Sequence, residues 1–173
     1  MPGIVLIGFM GCGKTSVGSL LAERLAIPFF DSDQLIESKE QKQIKTIFEE
    51  YGETYFRDLE REIISEFKKP LDFVLATGGG LPCHNNTMEV LNQIGITVFL
   101  ETSAKELYHR LILEKKNRPL LNTREDEPFK LRIESLLEER IPFYSKSKFT
   151  LNTDGRTLED LVGSLIEVLS LRD

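Results

Sequence analysis

Gly8-Phe9-Met10-Gly11-Cys12-Gly13-Lys14-Thr15, preceded by the apolar run Ile4-Val5-Leu6-Ile7, is a complete G-x-x-x-x-G-K-[ST] phosphate loop. The residues after it place Val17, Leu20, Leu21 and Leu25 on one helical face, so the motif sits between a strand and a helix. That context gives the match its meaning. Glycines let the backbone curl into a nest of amide N–H groups at a helix N-terminus, where the dipole also favours negative charge. Gly11, Cys12, Gly13, Lys14, Thr15 and Ser16 are therefore expected around the phosphates of a nucleoside triphosphate. Lys14 would reach the β- and γ-phosphates, and Thr15 would offer its hydroxyl to Mg²⁺.

Working outward, apolar runs at 4–7, 28–31, 73–76, 96–100 and 149–151 alternate with helical patterns, which predicts an α/β fold with a parallel sheet covered on both faces. At 173 residues the chain is expected to form one domain, 1–173. Ser103-Ala104-Lys105-Glu106 is a capping box opening a helix over 103–115, and Thr157 opens an apolar-periodic helix through Leu158, Leu161, Leu165 and Leu169. Between the second and third strands, helical stretches near 34–42, 44–51 and 53–68 are too long for one crossover. They predict an insertion over about 33–68 that builds a substrate site. The polar, proline-interrupted segment 115–127 reads as a mobile loop.

The net charge of −6, from 28 acidic and 22 basic residues well mixed along the chain, argues against a nucleic-acid or anionic-membrane partner. Two cysteines build no disulfide framework, no apolar run is long enough to span a bilayer, and the N-terminus lacks a basic leader. A cytoplasmic protein acting as a monomer is the expectation.

In open α/β sheets ligands sit beyond the carboxyl ends of the strands, so the residues there carry the chemical reading. Asp31-Ser32-Asp33 closes the second strand, and strand alternation would put both carboxylates on one side. Beside bound triphosphate, Asp31 is assigned to the metal and Asp33 to a substrate hydroxyl; taken alone, the pair reads equally as a solvated turn. Thr77-Gly78-Gly79-Gly80 ends the third strand with amides that a ligand can approach, or with a hinge. Thr77 stands where many phosphate-loop proteins carry an acidic residue for Mg²⁺, which places more of that duty on Asp31.

Arg57 and Glu60 are neighbours on a helix, where a carboxylate can steady a guanidinium so that it grips a second carboxylate at two points. A plain surface ion pair is the alternative. Arg140 precedes Pro142 near a helix end, and Arg118 beside Pro119 is placed to swing over a transferring phosphoryl group. His84 and His109 lack supporting partners and are expected at the surface. Cys12, inside the nest of amides, is either a small filler or an unusually reactive thiol.

These motifs, in this order, resemble those of the shikimate kinases over essentially the whole chain. Gly8 to Thr15 resembles the family's phosphate loop, Asp31-Ser32-Asp33 its D-x-D, and Phe56 to Glu60 its F-R-x-x-E. Gly78-Gly79-Gly80 resembles its triple glycine, Arg118-Pro119-Leu120-Leu121 its lid motif, and Arg140 to Tyr144 its R-x-P-x-Y. The resemblance implies a single three-layer nucleoside-monophosphate-kinase-like domain with five parallel strands, a substrate-binding insertion and a closing lid. It implies phosphorylation of the 3-hydroxyl of shikimate by ATP with Mg²⁺. It further implies that Asp33, Arg57, Gly78, Gly79, Gly80 and Arg140 hold shikimate, with Glu60 orienting Arg57 and Phe48 and Phe56 walling the ring. Lys14 and Arg118 would steady the transferred phosphoryl group, Thr15 and Asp31 would serve Mg²⁺, and Arg110 and Arg156 would lie on the adenine side. The stretch from Arg110 to Arg118 is about one residue longer than the family pattern, and Ser145-Lys146-Ser147-Lys148 replaces a small apolar position. A gluconate or nucleotide kinase of the same fold would keep Lys14 and Thr15 without needing Arg57 and Arg140. A non-catalytic ATP-binding domain would be expected to lack a motif residue.

Overall fold

A computed structural model describes residues 3–67, 72–112 and 129–170. The phosphate-loop strand β1 (Gly3–Ile7) is the centre of a five-stranded, wholly parallel sheet. Around it run β2 (Phe29–Asp31), β3 (Val74–Ala76), β4 (Gly95–Glu101) and β5 (Phe149–Asn152), in the order β2-β3-β1-β4-β5. Leu6 lies opposite both Ala76 and Val98, so β1 and β3 finish within a residue of each other, while β4 runs on past the Ile7–Phe99 pair to Glu101. Every residue of β1 and β3 is buried, as a parallel strand covered on both faces requires. The edge strand β5 instead alternates between half-buried and exposed positions.

Seven helices are described. α1 (Lys14–Leu25) follows the phosphate loop and packs against α7 (Leu158–Ser170), while α4 (Thr87–Ile94) packs on β4 and α5 (Ala104–Ile112) on α6 (Phe129–Tyr144). The core runs through Ile4, Leu6, Leu21, Leu75, Leu91, Leu100 and Leu107, all fully buried, each worth about 1.5–3 kcal/mol of transfer free energy. Both predicted caps are present: the Glu106 amide donates to Ser103 Oγ at 3.3 Å, and the Asp160 amide to Thr157 Oγ1 at 3.2 Å. At Thr157 the box is reciprocal, because Asp160 Oδ2 accepts the Thr157 amide at 3.1 Å. Pro142 lies in the last turn of α6, which ends two residues later as expected of a helix carrying proline.

The insertion is α2 (Ser32–Glu40) and α3 (Ile44–Glu66), packed on each other. α3 breaks at Gly52, whose φ of 80° and ψ of 176° belong to a region that only glycine occupies readily. Two helical segments therefore meet there, at the break predicted between 44–51 and 53–68.

The D-x-D motif differs from its predicted form. β2 ends at Asp31, and Asp33 already lies in the first turn of α2, so the two carboxylates do not share the face of an extended strand. Asp31 is the N-cap, its Oδ1 accepting the amides of Asp33 at 3.0 Å and Gln34 at 3.4 Å. Capping competes with strand continuation at such a position, and here the cap wins because it satisfies two otherwise orphaned helix donors. The predicted lid 115–127, with Arg118, lies outside the described residues.

Candidate active site

The phosphate loop is closed on itself by Lys14. Its ammonium is almost fully buried and donates to the carbonyls of Gly8 and Phe9, each at 2.9 Å, with Cys12 Sγ at 3.6 Å. The Cys12 amide donates to Phe9 O at 3.2 Å, which helps shape the loop. Its side chain is fully buried, which removes the access that a reactive thiol needs. Burial favours the small filler of the two readings.

In the first turn of α1, Thr15 Oγ1 donates to Asp31 Oδ2 at 2.8 Å, bringing hydroxyl and carboxylate to one point beside the loop. Ser16 is exposed at the same helix end. Arg110, on α5, is held by Glu106 at 2.8 Å and lies against the carbonyls of Gly11 and Cys12 at 3.5 and 3.4 Å. Arg156 lies along α7, donating to Asp160 O at 2.9 Å and Ser164 Oγ at 2.5 Å.

On the other side of the β1 end, the glycine loop meets the insertion. The Gly78 amide donates to Ser32 Oγ at 2.8 Å, and Ser32 is fully buried. A Cβ on Gly78 would lie 2.5 Å from Asp33 Oδ1, and one on Gly80 would lie 3.0 Å from Arg57 Nη2. The close approach of Asp33 and Arg57 thus explains glycine at both positions. Tyr144 anchors the same loop from α6, its hydroxyl donating to Gly79 O at 2.6 Å.

Two guanidinium groups face this loop. Arg57 Nη1 donates to Glu60 Oε2 at 2.7 Å, and Nε and Nη2 donate to Glu53 Oε1 at 3.2 and 2.9 Å. Glu60 is nearly fully buried, and burial pushes its carboxyl up to about 7; Asp33 and Glu53 add to this, against the pull of Arg57. Arg140 stacks over the Phe9 ring at 5.3 Å, and its Nη1 is buried with no hydrogen-bond partner among the described residues. A Cβ on Gly79 would lie 3.5 Å from that nitrogen and 3.1 Å from the Met10 amide nitrogen. A buried guanidinium nitrogen left unpartnered among the described residues, between the glycine loop and the phosphate loop, is chemically suited to receive an anionic oxygen. Phe56 and Phe48 pair at 4.6 Å across the Gly52 break, and Arg57 stacks over Phe56 at 5.3 Å.

A phosphate loop, a hydroxyl–carboxylate pair beside it, and a cationic cleft walled by phenylalanines can align an anionic hydroxylated acceptor with a triphosphate. The family model described as shikimate kinase matches residues 10–170. The chain belongs to the shikimate kinase family. A shikimate kinase of Parabacteroides distasonis is 39% identical over 173 residues, covering 98% of this chain and 100% of that protein. The crystal structure of shikimate kinase from Bacteroides thetaiotaomicron superposes with a TM-score of 0.87 at 38% identity, covering 98% of both chains. The solved structure of shikimate kinase from Acinetobacter baumannii in complex with shikimate has a TM-score of 0.91 at 36% identity, covering 100% of this chain and 95% of that one.

The structure therefore brings Asp33, Phe48, Phe56, Arg57, Glu60, Gly78, Gly79, Gly80 and Arg140 to one cleft, next to Lys14, Thr15 and Asp31. Sequence reasoning missed Ser32, Tyr144 and Glu53 as parts of this shikimate kinase cleft, and it set His84 aside as a surface residue. His84 is only half-exposed and its Nε2 lies 3.9 Å from Glu53 Oε1; His109 is exposed as predicted. Glu53 had a readable signal, since glutamate four residues before arginine on a helix is a favourable pair.

Proposed function

We propose that this member of the family transfers the γ-phosphoryl group of ATP to the 3-hydroxyl of shikimate, giving shikimate 3-phosphate and ADP. The observation that carries this reading is the pair Arg57 and Arg140, one fork held by carboxylates and the other buried with Nη1 unpartnered among the described residues, both beside the glycine loop that Asp33 also approaches. Such a pair suits a carboxylate on a substrate whose hydroxyls face Asp33 and the glycine amides.

In this reading Arg57 and Arg140 grip the shikimate carboxylate, Glu60 holds Arg57, and Gly78, Gly79 and Gly80 let the ring approach the backbone. Phe48 and Phe56 form its apolar wall. Asp33 orients the 3-hydroxyl towards the phosphate loop, where alignment contributes more than a strong base does. Lys14 exchanges the carbonyls of Gly8 and Phe9 for phosphate oxygens and neutralises charge developing on the transferred group. Thr15 and Asp31, an all-oxygen pair 2.8 Å apart, fit a hard divalent cation and would hold Mg²⁺. When bound, that ion offsets negative charge on the β- and γ-phosphates. Arg110 shapes the nucleotide side through the loop carbonyls, and Arg156 is proposed on the adenine side. The same reading has the enzyme acting as a cytoplasmic monomer without a nucleic-acid or membrane partner, which the net charge of −6 and the two unpaired cysteines support.

A coupled assay of ADP release with ATP and Mg²⁺ tests this, with shikimate, gluconate and a nucleoside monophosphate offered in turn. Turnover on shikimate is expected. Turnover on another acceptor with none on shikimate would overturn the proposal.

A further inference from the structure

The Gly52 break makes Glu53 the first residue of a new helical segment, one turn before Arg57. Residues four apart share a helix face, so the Glu53 carboxylate meets the guanidinium side-on, its Oε1 accepting from Nε at 3.2 Å and Nη2 at 2.9 Å. The opposite flank belongs to Glu60, which accepts from Nη1 at 2.7 Å. A guanidinium carries five N–H donors in a rigid planar fork. Three are taken by these two carboxylates, leaving one on each terminal nitrogen. A Cβ on Gly80 would lie 3.0 Å from Nη2 and 3.1 Å from Nη1, so that terminal edge faces the glycine loop.

We infer that Glu53 is a positioning residue for the acceptor: with Glu60 on the other flank, it fixes the plane and direction of the Arg57 fork so that its terminal edge meets the substrate carboxylate. This rests on the proposed phosphorylation of shikimate. Glu60 alone leaves the fork free to turn about a single hydrogen bond, whereas contacts on both flanks define its plane. Hydrogen bonds from Arg57 hold the Glu53 carboxyl below the usual carboxylate range, so it stays charged. The Glu53 side chain is 57% exposed, so removing it opens no cavity in the core.

Glu53→Ala and Glu53→Gln separate this role from a structural one. Both bonds go to one oxygen, so the glutamine amide oxygen can still accept them without the charge. KM for shikimate is expected to rise about tenfold in Glu53→Ala and about threefold in Glu53→Gln, in line with loss or weakening of charge-assisted hydrogen bonds. kcat and KM for ATP should stay within about twofold of the parent, because Glu53 does not touch the reacting groups. The melting temperature without ligand should be unchanged, and the increase on adding shikimate should shrink in the same order. An unchanged KM would overturn the inference. So would a lowered KM, which would make Glu53 an internal competitor for Arg57, and so would a parallel fall in kcat, both affinities and thermal stability. If the parent enzyme turns over another acceptor and not shikimate, the underlying reading fails and takes this one with it. Normal parent turnover with insensitive variants sinks the Glu53 role alone.

Discussion

Ser32 Oγ accepts the Gly78 amide at 2.8 Å across 46 residues of sequence, joining the D-x-D segment to the glycine loop inside the protein. Neither group reaches water to compensate, since Ser32 is fully buried. Ser32→Ala leaves that amide without its acceptor, at roughly 1–3 kcal/mol. Calorimetry should show a fall in Tm of roughly 2–12 °C for a domain of this size, with a raised KM for shikimate. Ser32→Thr keeps the acceptor and should recover much of the affinity. A Ser32→Ala protein that melts and binds like the parent would show that this bond does not hold the loop.

Lys14 spends the ligand-free state on its own loop carbonyls, so its removal acts on both the loop and the transition state. Lys14→Ala should lower kcat by about 10²- to 10³-fold, the usual effect of losing one preorganised charge-stabilising donor. Circular dichroism should show the fold retained. Turnover within a few-fold of the parent would remove Lys14 from the mechanism.

Arg140 is suited to binding at the expense of stability, because Nη1 is buried without a partner among the described residues. Arg140→Met keeps much of the contact with Phe9 while deleting the unsatisfied donor. Its ligand-free Tm should equal or exceed the parent's, while shikimate affinity falls by at least about tenfold. Arg57→Lys should also weaken shikimate binding, because an ammonium cannot reproduce a planar fork. Titration calorimetry checks both, and unchanged affinity in the two variants alike would refute the clamp.

Glu60 makes stability depend on pH in a direction opposite to that of an ordinary ion-paired carboxylate. Burial raises its folded value to about 7, above the ordinary value of 4.5 that applies when unfolded. The folded protein therefore holds this proton more tightly, and the associated stabilisation is complete below about 4.5 and lost as pH rises through about 7. Thermal melts between those limits should show this contribution declining in the parent and absent in Glu60→Gln. Parallel pH profiles for the two proteins would contradict it.

Much of the fold was legible because its signals are local. The phosphate loop, the apolar runs that became β1 to β5, the helix starts at Ser103 and Thr157, and the break at Gly52 each carry a signal within a few positions of one another. Turn chemistry and hydrophobic period act at that range, and the order of the motifs was enough to indicate the family. The residues of the cleft were legible as a set, but their geometry was not. Asp31 and Asp33 could be read as an extended pair until the N-cap of α2 placed them on different elements.

What the chain alone determined was therefore the element types, the anion-binding loop and the inventory of charged groups. Only the tertiary structure decided how those groups meet. Pairing β3 beside β1 and β2 beyond it brings Ser32 to Gly78 and Asp33 against the glycine loop. Docking of α6 near the 3-10 turn Leu81–Cys83 seats Tyr144 on Gly79 and leaves Arg140 between that loop and Phe9. The burial of Glu60, which raises its proton affinity, brings it beside Gly78 and Asp33, far away in the chain. Desolvation and hydrogen-bond satisfaction depend on everything within a few ångströms in space, and no pattern along the sequence encodes that neighbourhood directly.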